Sequence, residues 1–209
     1  MKRTSFKGGA EFIPQSKKLS VLRTAIQQCR GCDLFEHATQ AVFGEGPKKS
    51  TVMFIGEQPG DAEDRLGRPF VGPAGQLFDR ALGEAVLDRS SVYITNAVKH
   101  FKFEERGKRR LHKKPDRAEI RACRPWLEAE VETIRPRVIV CLGATAALTV
   151  FGAEYRLSLQ RGEFVEHAWA PYATSTIHPS AILRSRDEQE RHFEYERFVG
   201  DLKKIALIL

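Results

Sequence analysis

The sequence predicts a three-layer αβα fold of the α/β class, with a central, mostly parallel four-stranded sheet in a single domain spanning residues 1–209. Two observations predict it. Four short β-rich runs, TVMFI (51–55), SVYIT (91–95), RVIVCL (137–142) and YATSTI (172–177), are separated by segments of helical character. That alternation is what a parallel sheet with helices on both faces requires. A chain of 209 residues that is 42% hydrophobic can also bury one substantial core, and its length asks for no second domain.

Taken in order, Leu19, Leu22, Ala25 and Ile26 fall at helical spacing, so residues 16–28 are expected to form a helix running into Cys29-Arg-Gly-Cys32. A middle helix is expected to start at Asp116, where Asp116 and Glu119 have the spacing of a capping box. Ile120, Leu127, Val131 and Ile134 then form its apolar stripe, and Pro125 is expected to kink or restart it. From about Glu188 a closing helix carries Phe198, Leu202, Ile205 and Leu209 on one face. No repeat, low-complexity tract or linker interrupts the pattern.

Lysine and arginine total 34 against 27 aspartates and glutamates, a net charge of +7 that favours a polyanionic partner such as nucleic acid. The start, MKRTSFKGGAEFIPQSKK, is basic without the apolar run of a signal peptide. No stretch approaches the roughly 18 apolar residues of a membrane span. The expected location is therefore cytoplasmic, where four cysteines read as thiols, a metal site or a cluster rather than disulfides.

Ligands of open α/β sheets bind beyond the carboxyl ends of the strands. The four runs lead into GEQPGD (56–61), NAVKHF (96–101), GATAA (143–147) and HPSAIL (178–183). Alone, Gly56 and Gly60 suit a tight turn, Asn96 a turn cap and His178 before Pro179 a helix start. Together, Glu57, Gln58, Asn96 and His178 converge on one sheet edge, which points to a site. The cysteines Cys29, Cys32, Cys123 and Cys141 lack the paired CxxC spacing of a zinc ribbon. Four thiolates from separate elements suit a 4Fe-4S cluster, zinc stays open, and Cys141 within VIVCLG equally suits a small core residue.

GEQPGD, RPFVGPAGQLFDRAL (68–82), TNAVKHFKF (95–103), LGATAA and HPSAILR (178–184), with the cysteine spacing, together resemble the iron–sulfur uracil-DNA glycosylases called family 4. GEQPGD and the loop GKRRLHKKP (107–115) further resemble family X, the branch that crosslinks to uracil-containing DNA. Leu111 stands where that branch has isoleucine. The resemblance covers Cys29 to about Arg184.

It implies a 4Fe-4S cluster on Cys29, Cys32, Cys123 and Cys141 and action on uracil-containing DNA, single- or double-stranded; apart from the resemblance, a monomer with no membrane partner is expected. Uracil must then leave the stack to be reached. Phe70 resembles the stacking residue and Asn96 the reader of the uracil edge, with Gly56 beside it. His178 resembles the stabiliser of the departing base. Glu57 and Gln58 resemble motif residues next to the sugar cation, with Glu57 also orienting His112.

Asp61 reads as the N-cap of the following helix, with a family place near the reaction centre. Arg110 belongs to a basic run that reads as phosphate-contacting. Ser180 lies in Pro179–Arg184, a segment suited to an apolar wedge in the base stack. His112 is expected to capture the sugar as a covalent adduct. The alternatives are a family 4 glycosylase that turns over, releasing uracil and leaving an abasic site, and a non-catalytic iron–sulfur protein that binds nucleic acid.

Overall fold

The computed structural model describes residues 7–209, and the first six residues of the basic start lie outside them. The elements are α1 (Leu19–Ala25), β1 (Val52–Gly56), α2 (Asp61–Leu66), α3 (Pro73–Glu84), β2 (Tyr93–Asn96), β3 (Phe103–Arg106) and β4 (Arg109–His112). They continue with α4 (Arg117–Ile134), β5 (Val138–Leu142), α5 (Ala144–Phe151), α6 (Leu157–Gln160), β6 (Val165–His167), β7 (Ala170–Thr176), α7 (Pro179–Leu183) and α8 (Glu188–Ala206).

The main sheet has the order β2-β1-β5-β7-β6. The four predicted strands are its parallel members, and β6 adds a fifth that is antiparallel to β7. This strand escaped the sequence reading because it is three residues long and none of them is buried. Residues 107–115 are likewise not a plain loop. They form the turn and second strand of a β3–β4 hairpin, pairing Phe103 with His112 and Arg106 with Arg109, with Gly107 at φ 59° in the turn.

Period-two alternation buries both faces of the strands. Phe54, Ile94 and Val140 pack with Phe78 and Leu82 of α3 and Phe198 and Leu202 of α8. Met53, Ile55 and Ile139 pack on the other face with Leu127 and Val131 of α4 and Ala146 and Val150 of α5. The predicted stripes of α4 and α8 are therefore the core faces, although Leu209 falls beyond α8 and is exposed.

The capping box at Asp116 forms: its carboxylate accepts from the Ala118 and Glu119 N–H groups, and Glu119 accepts from the Asp116 N–H at 2.6 Å. The helix does not restart at Pro125 but runs unbroken over 18 residues. Burial of Trp126 and Leu127 just beyond the proline holds it in register. The predicted first helix is shorter: α1 ends at Ala25, and a 3₁₀ turn, Ile26–Gln28, leads to Cys29.

A buried ion pair binds these layers. Lys99, just past β2, and Glu130 of α4 are 1% and 0% exposed and in direct contact. The Lys99 ammonium also donates to Thr95 Oγ1 at 2.6 Å and to the Asn96 carbonyl at 2.8 Å. Glu130 further accepts from the Gly44 N–H, Tyr93 Oη and Thr95 Oγ1. Removing one partner leaves an uncompensated buried charge, a loss of ~3–5 kcal/mol. Lys99→Met is therefore expected to lose that much unfolding free energy in urea titration, and Lys99→Met/Glu130→Leu to recover much of it. An unchanged single variant would show that the pair does not hold the layers.

Candidate active site

The sheet turns back on itself between β1 and β5: the chain leaves β1 for β2 on one side and returns to β5 on the other. This is the switch point at which an α/β sheet opens a crevice. Over it lies a cavity of about 570 Å³ lined by Glu57, Gln58, Phe70, Asn96, His112, Thr145, His178 and Ser180, among others. The structure therefore brings together the side chains predicted from three separate strand ends.

Asn96 ends β2 and is 2% exposed, and its Oδ1 is a buried acceptor without a hydrogen-bond partner. Leaving such an atom unsatisfied costs ~1–3 kcal/mol, so a donor belonging to a ligand is called for there. Gly56 makes the room. A Cβ at that position would overlap Asn96 Oδ1 and lie 2.8 Å from the Phe70 ring. Phe70 is a non-glycine residue at φ 55°, a strained conformation of the kind that clusters at functional sites. Its ring lies 5.6 Å from His178 and 5.4 Å from Phe78, centroid to centroid.

His178 caps α7. Its Nδ1 accepts from the Ser180 N–H at 3.1 Å and faces Ser180 Oγ at 2.8 Å. With Nδ1 accepting, the proton of the neutral ring sits on Nε2. Ser180 thus acts through His178, and any wedge role for its segment is a separate matter. Burial pushes the His178 imidazole down to about 4; Glu57 opposes this, and Arg184 and His112 add to it.

Glu57 Oε1 faces His112 Nε2 at 3.2 Å, and Thr145 Oγ1 donates to Oε2. Burial raises the carboxyl, but the hydrogen bonds from His112 and Thr145 and the charge of His112 outweigh it, leaving Glu57 below the ordinary carboxylate range. The Glu57–Thr145 bond crosses the β1/β5 switch point. His112 sits on β4, half-exposed, over the cavity mouth.

Three predicted residues play other parts. Gln58 spans the hairpin base, its amide donating to the Lys102 and Lys113 carbonyls and accepting from the Lys102 N–H. Asp61 is not the N-cap. Gly60 holds that position, and Asp61, first residue of α2, pairs with Arg65 and Arg110. Arg110 is not presented to a phosphate: its guanidinium is bound to Asp61 and to fully buried Asp64 at 2.7 Å, and lies 4.9 Å from the Phe103 ring. It anchors the hairpin instead.

Two residues escaped the sequence reading. Thr145 was visible only as part of LGATAA. Glu63 gathers the Gly60, Val71 and Gly72 N–H groups, joining the GEQPGD turn to the Phe70 segment; its position three residues after Gly60 was the available signal.

On the far side of α4, Cys29, Cys32 and Cys123 share one buried cluster with Trp126. Trp126 Nε1 and the Lys99 N–H each lie 3.2 Å from a sulfur, of Cys29 and Cys123 respectively. Cys141 is not with them. It lies in β5, paired in register with Ile55 and Ser175, within the separate core cluster of Met53 and Ala147. Its place on a fully buried strand makes it a core residue, which corrects the four-cysteine expectation. His100 follows Lys99, whose N–H bonds to Cys123 Sγ, and is 5% exposed, with no side-chain hydrogen bond among the described residues. Burial and the charge of Arg30, which lies between Cys29 and Cys32, push its imidazole down to about 4. Among the described residues, no three His, Cys, Asp or Glu donors close around a single metal-ion position.

Two outcomes are expected. Gly56→Ala is expected to keep its fold but to lose ligand binding in the cavity, read by titration calorimetry with free uracil, the ligand that the sequence resemblance implies; unimpaired binding would misplace the pocket. Because His178 titrates near 4 when folded and near 6.5 when unfolded, its contribution to stability is complete above 6.5 and is lost as pH falls toward 4. Wild type should therefore lose on the order of 1–3 kcal/mol relative to His178→Gln across that window, measured by chemical unfolding at each pH. A constant difference would refute a neutral ring at this position.

The pattern described as the uracil DNA glycosylase superfamily matches residues 43–203. The chain is 36% identical over 179 residues to a type-4 uracil-DNA glycosylase of Thermotoga maritima, covering 85% of this chain and 90% of that one. It is 37% identical over 188 residues to one of Archaeoglobus fulgidus (87% and 88%), and 38% over 173 residues to one of Sulfurisphaera tokodaii (79% and 76%). These relatives overturn the covalent adduct expected at His112 and support its alternative, a type-4 glycosylase. With a matching pattern over most of its length and type-4 enzymes as relatives, the chain belongs to the uracil-DNA glycosylase superfamily and is a uracil-DNA glycosylase related to type 4.

Proposed function

We propose that the protein excises uracil from DNA by ordinary turnover, releasing the free base and leaving an abasic site. The observation that carries this is the unpartnered, buried Asn96 Oδ1 beside Phe70 and His178. A flipped uracil presents a ring N–H to that acceptor and a carbonyl to the amide nitrogen of the same side chain. Cytosine has an acceptor where uracil has the N–H, so it leaves Asn96 unsatisfied. Phe70 stacks on the base, an interaction worth ~1–3 kcal/mol.

As the glycosidic bond breaks, negative charge gathers on the uracil carbonyl and positive charge on the sugar. His178, neutral and protonated on Nε2, donates to the carbonyl oxygen. Glu57, kept ionised by Thr145 and His112, faces the sugar cation and stabilises it until water adds. His112 is a positioning residue that donates to Glu57. The kinship of GEQPGD and the 107–115 hairpin with the family X branch is part of this proposal as sequence ancestry alone.

The thiols fit a 4Fe-4S cluster. Cys29, Cys32 and Cys123 would hold it, the N–H groups of Trp126 and Lys99 bond toward the sulfurs as donors to cluster thiolates do, and His100, next in the chain to Lys99, is proposed as the fourth ligand in place of Cys141. The cluster would supply no chemical step, serving to staple the segment after α1 to α4 and the β2 exit.

With uracil-containing oligonucleotide in tenfold excess, released uracil is expected to exceed the enzyme many times over; release that stops at one equivalent overturns the turnover reading. Asn96→Ala should lose excision on the order of a hundredfold or more while still binding uracil-free DNA. For the cluster, purified protein should contain iron and acid-labile sulfide and absorb broadly in the visible. Cys123→Ser should lose both, and Cys141→Ser should keep them. The reverse pattern would restore Cys141 as a ligand.

A further inference from the structure

A second, larger groove of about 1560 Å³ opens from the base cavity. The two share Lys114, Thr145, Leu157, Ile177, Ala181 and Arg184, so one runs into the other. Seven exposed cations line it; Arg156 donates to the Ala153 and Tyr155 carbonyls and Arg197 pairs with Glu194, and the other five are Lys114 at the hairpin exit, Arg117 and Arg121 on the first turns of α4, and Arg184 and Arg186 beyond α7. None of the five makes a side-chain hydrogen bond or ion pair among the described residues.

The other charges on its walls are already committed. Arg124 pairs with Glu128, Arg161 with Glu194 and Asp201, and Arg197 with Glu194. Asp116 caps α4, and Glu190 accepts from the Arg186 backbone N–H. Among the described residues Glu190 is the one acidic side chain lining the groove without an ion-pair partner, so the uncompensated charge there is predominantly positive. Leu148, Leu157 and Ile177 add an apolar surface between the cations, with Leu148 37% exposed.

We infer that this groove seats the single-stranded continuation of the uracil-containing strand on one side of the flipped base. Phosphates lie on the five cations and unpaired bases lie on the apolar surface. A duplex arm would offer phosphates but keep its bases paired, leaving the apolar surface unused; a single strand satisfies both. Gly60, Glu63 and Ala74, which also line the base cavity, add no cation to it. The proposed grip is thus on the groove side of the uracil. The inference rests on the base cavity being the uracil site.

The test uses single-stranded oligonucleotides with uracil near the 5′ end, at the centre or near the 3′ end, and the variant Arg117→Ala/Arg121→Ala/Arg186→Ala. None of these three residues lines the base cavity, and all are exposed. In wild type, lengthening one side only should raise kcat/KM, chiefly through KM. The variant should lose that gain about tenfold, keep its kcat on the shortest substrate, and show a log–log salt slope shallower by about 2. Pairing the gripped side with a complementary strand should also remove the gain.

Equal gains from both sides, an unaffected variant, or a gain that survives pairing would each overturn the inference. Anisotropy of a labelled uracil-free oligonucleotide supplies a readout independent of excision. Wild-type protein that releases no uracil refutes the glycosylase reading, while tight binding weakened about tenfold in the variant would still support the groove.

Discussion

Burying an ammonium and a carboxylate together is tolerable only when every remaining hydrogen-bonding position is also filled, and the Lys99–Glu130 pair meets that condition. Its hydrogen bonds reach the Gly44 segment, Tyr93 and Thr95 of β2, and the carbonyl of Asn96. The backbone that presents the Asn96 amide to the cavity is thereby clamped to α4. The Lys99 N–H bonds in turn to Cys123, so five consecutive residues, Asn96 to His100, join the base cavity to the thiol site. Through this sharing, the proposed cluster would bear on the proposed reaction by way of the position of Asn96.

Within the cavity two ionisable groups are pushed in opposite senses by their surroundings. Hydrogen bonds from Thr145 and His112 outweigh burial at Glu57 and keep it charged, whereas burial dominates at His178 and keeps it neutral. One pH therefore supports an anion and a neutral N–H donor within the same cavity, the separation that the proposed leaving-group stabilisation uses. The positive φ of Phe70 belongs to the same design. Glu63 and the packing of Gly75 against the Phe70 carbonyl hold its segment in a conformation that it would not adopt freely.

The basic composition is a poor map of the DNA surface. Arg110, in the most basic stretch of the chain, is spent on Asp61 and Asp64, where it fixes the hairpin that carries His112. Similarly, Arg161 is spent on Glu194 and Asp201. Net charge favours a polyanionic partner, but only cations left without internal partners can show where it lies.

The sequence alone determined the four parallel strands, the α4 and α8 faces and the convergence of Glu57, Asn96 and His178. Each follows from local periodicity or from the rule that strand ends carry the site, and neither needs long-range information. The family motifs pointed to a uracil-DNA glycosylase by the same local route. Only tertiary structure decided the rest. Cys141 looks like a fourth ligand by count, yet β5 buries it in a different core cluster from the other thiols, while His100, unremarkable in sequence, directly follows the residue whose N–H bonds to Cys123. Asp61 looks like a cap, but Gly60 takes that place and frees its carboxylate for Arg110, forty-nine residues away. Thr145 reaches Glu57 across the switch point only because β1 and β5 are neighbours. Pairings between distant segments depend on strand order and side-chain direction, and a linear pattern of residue types encodes neither.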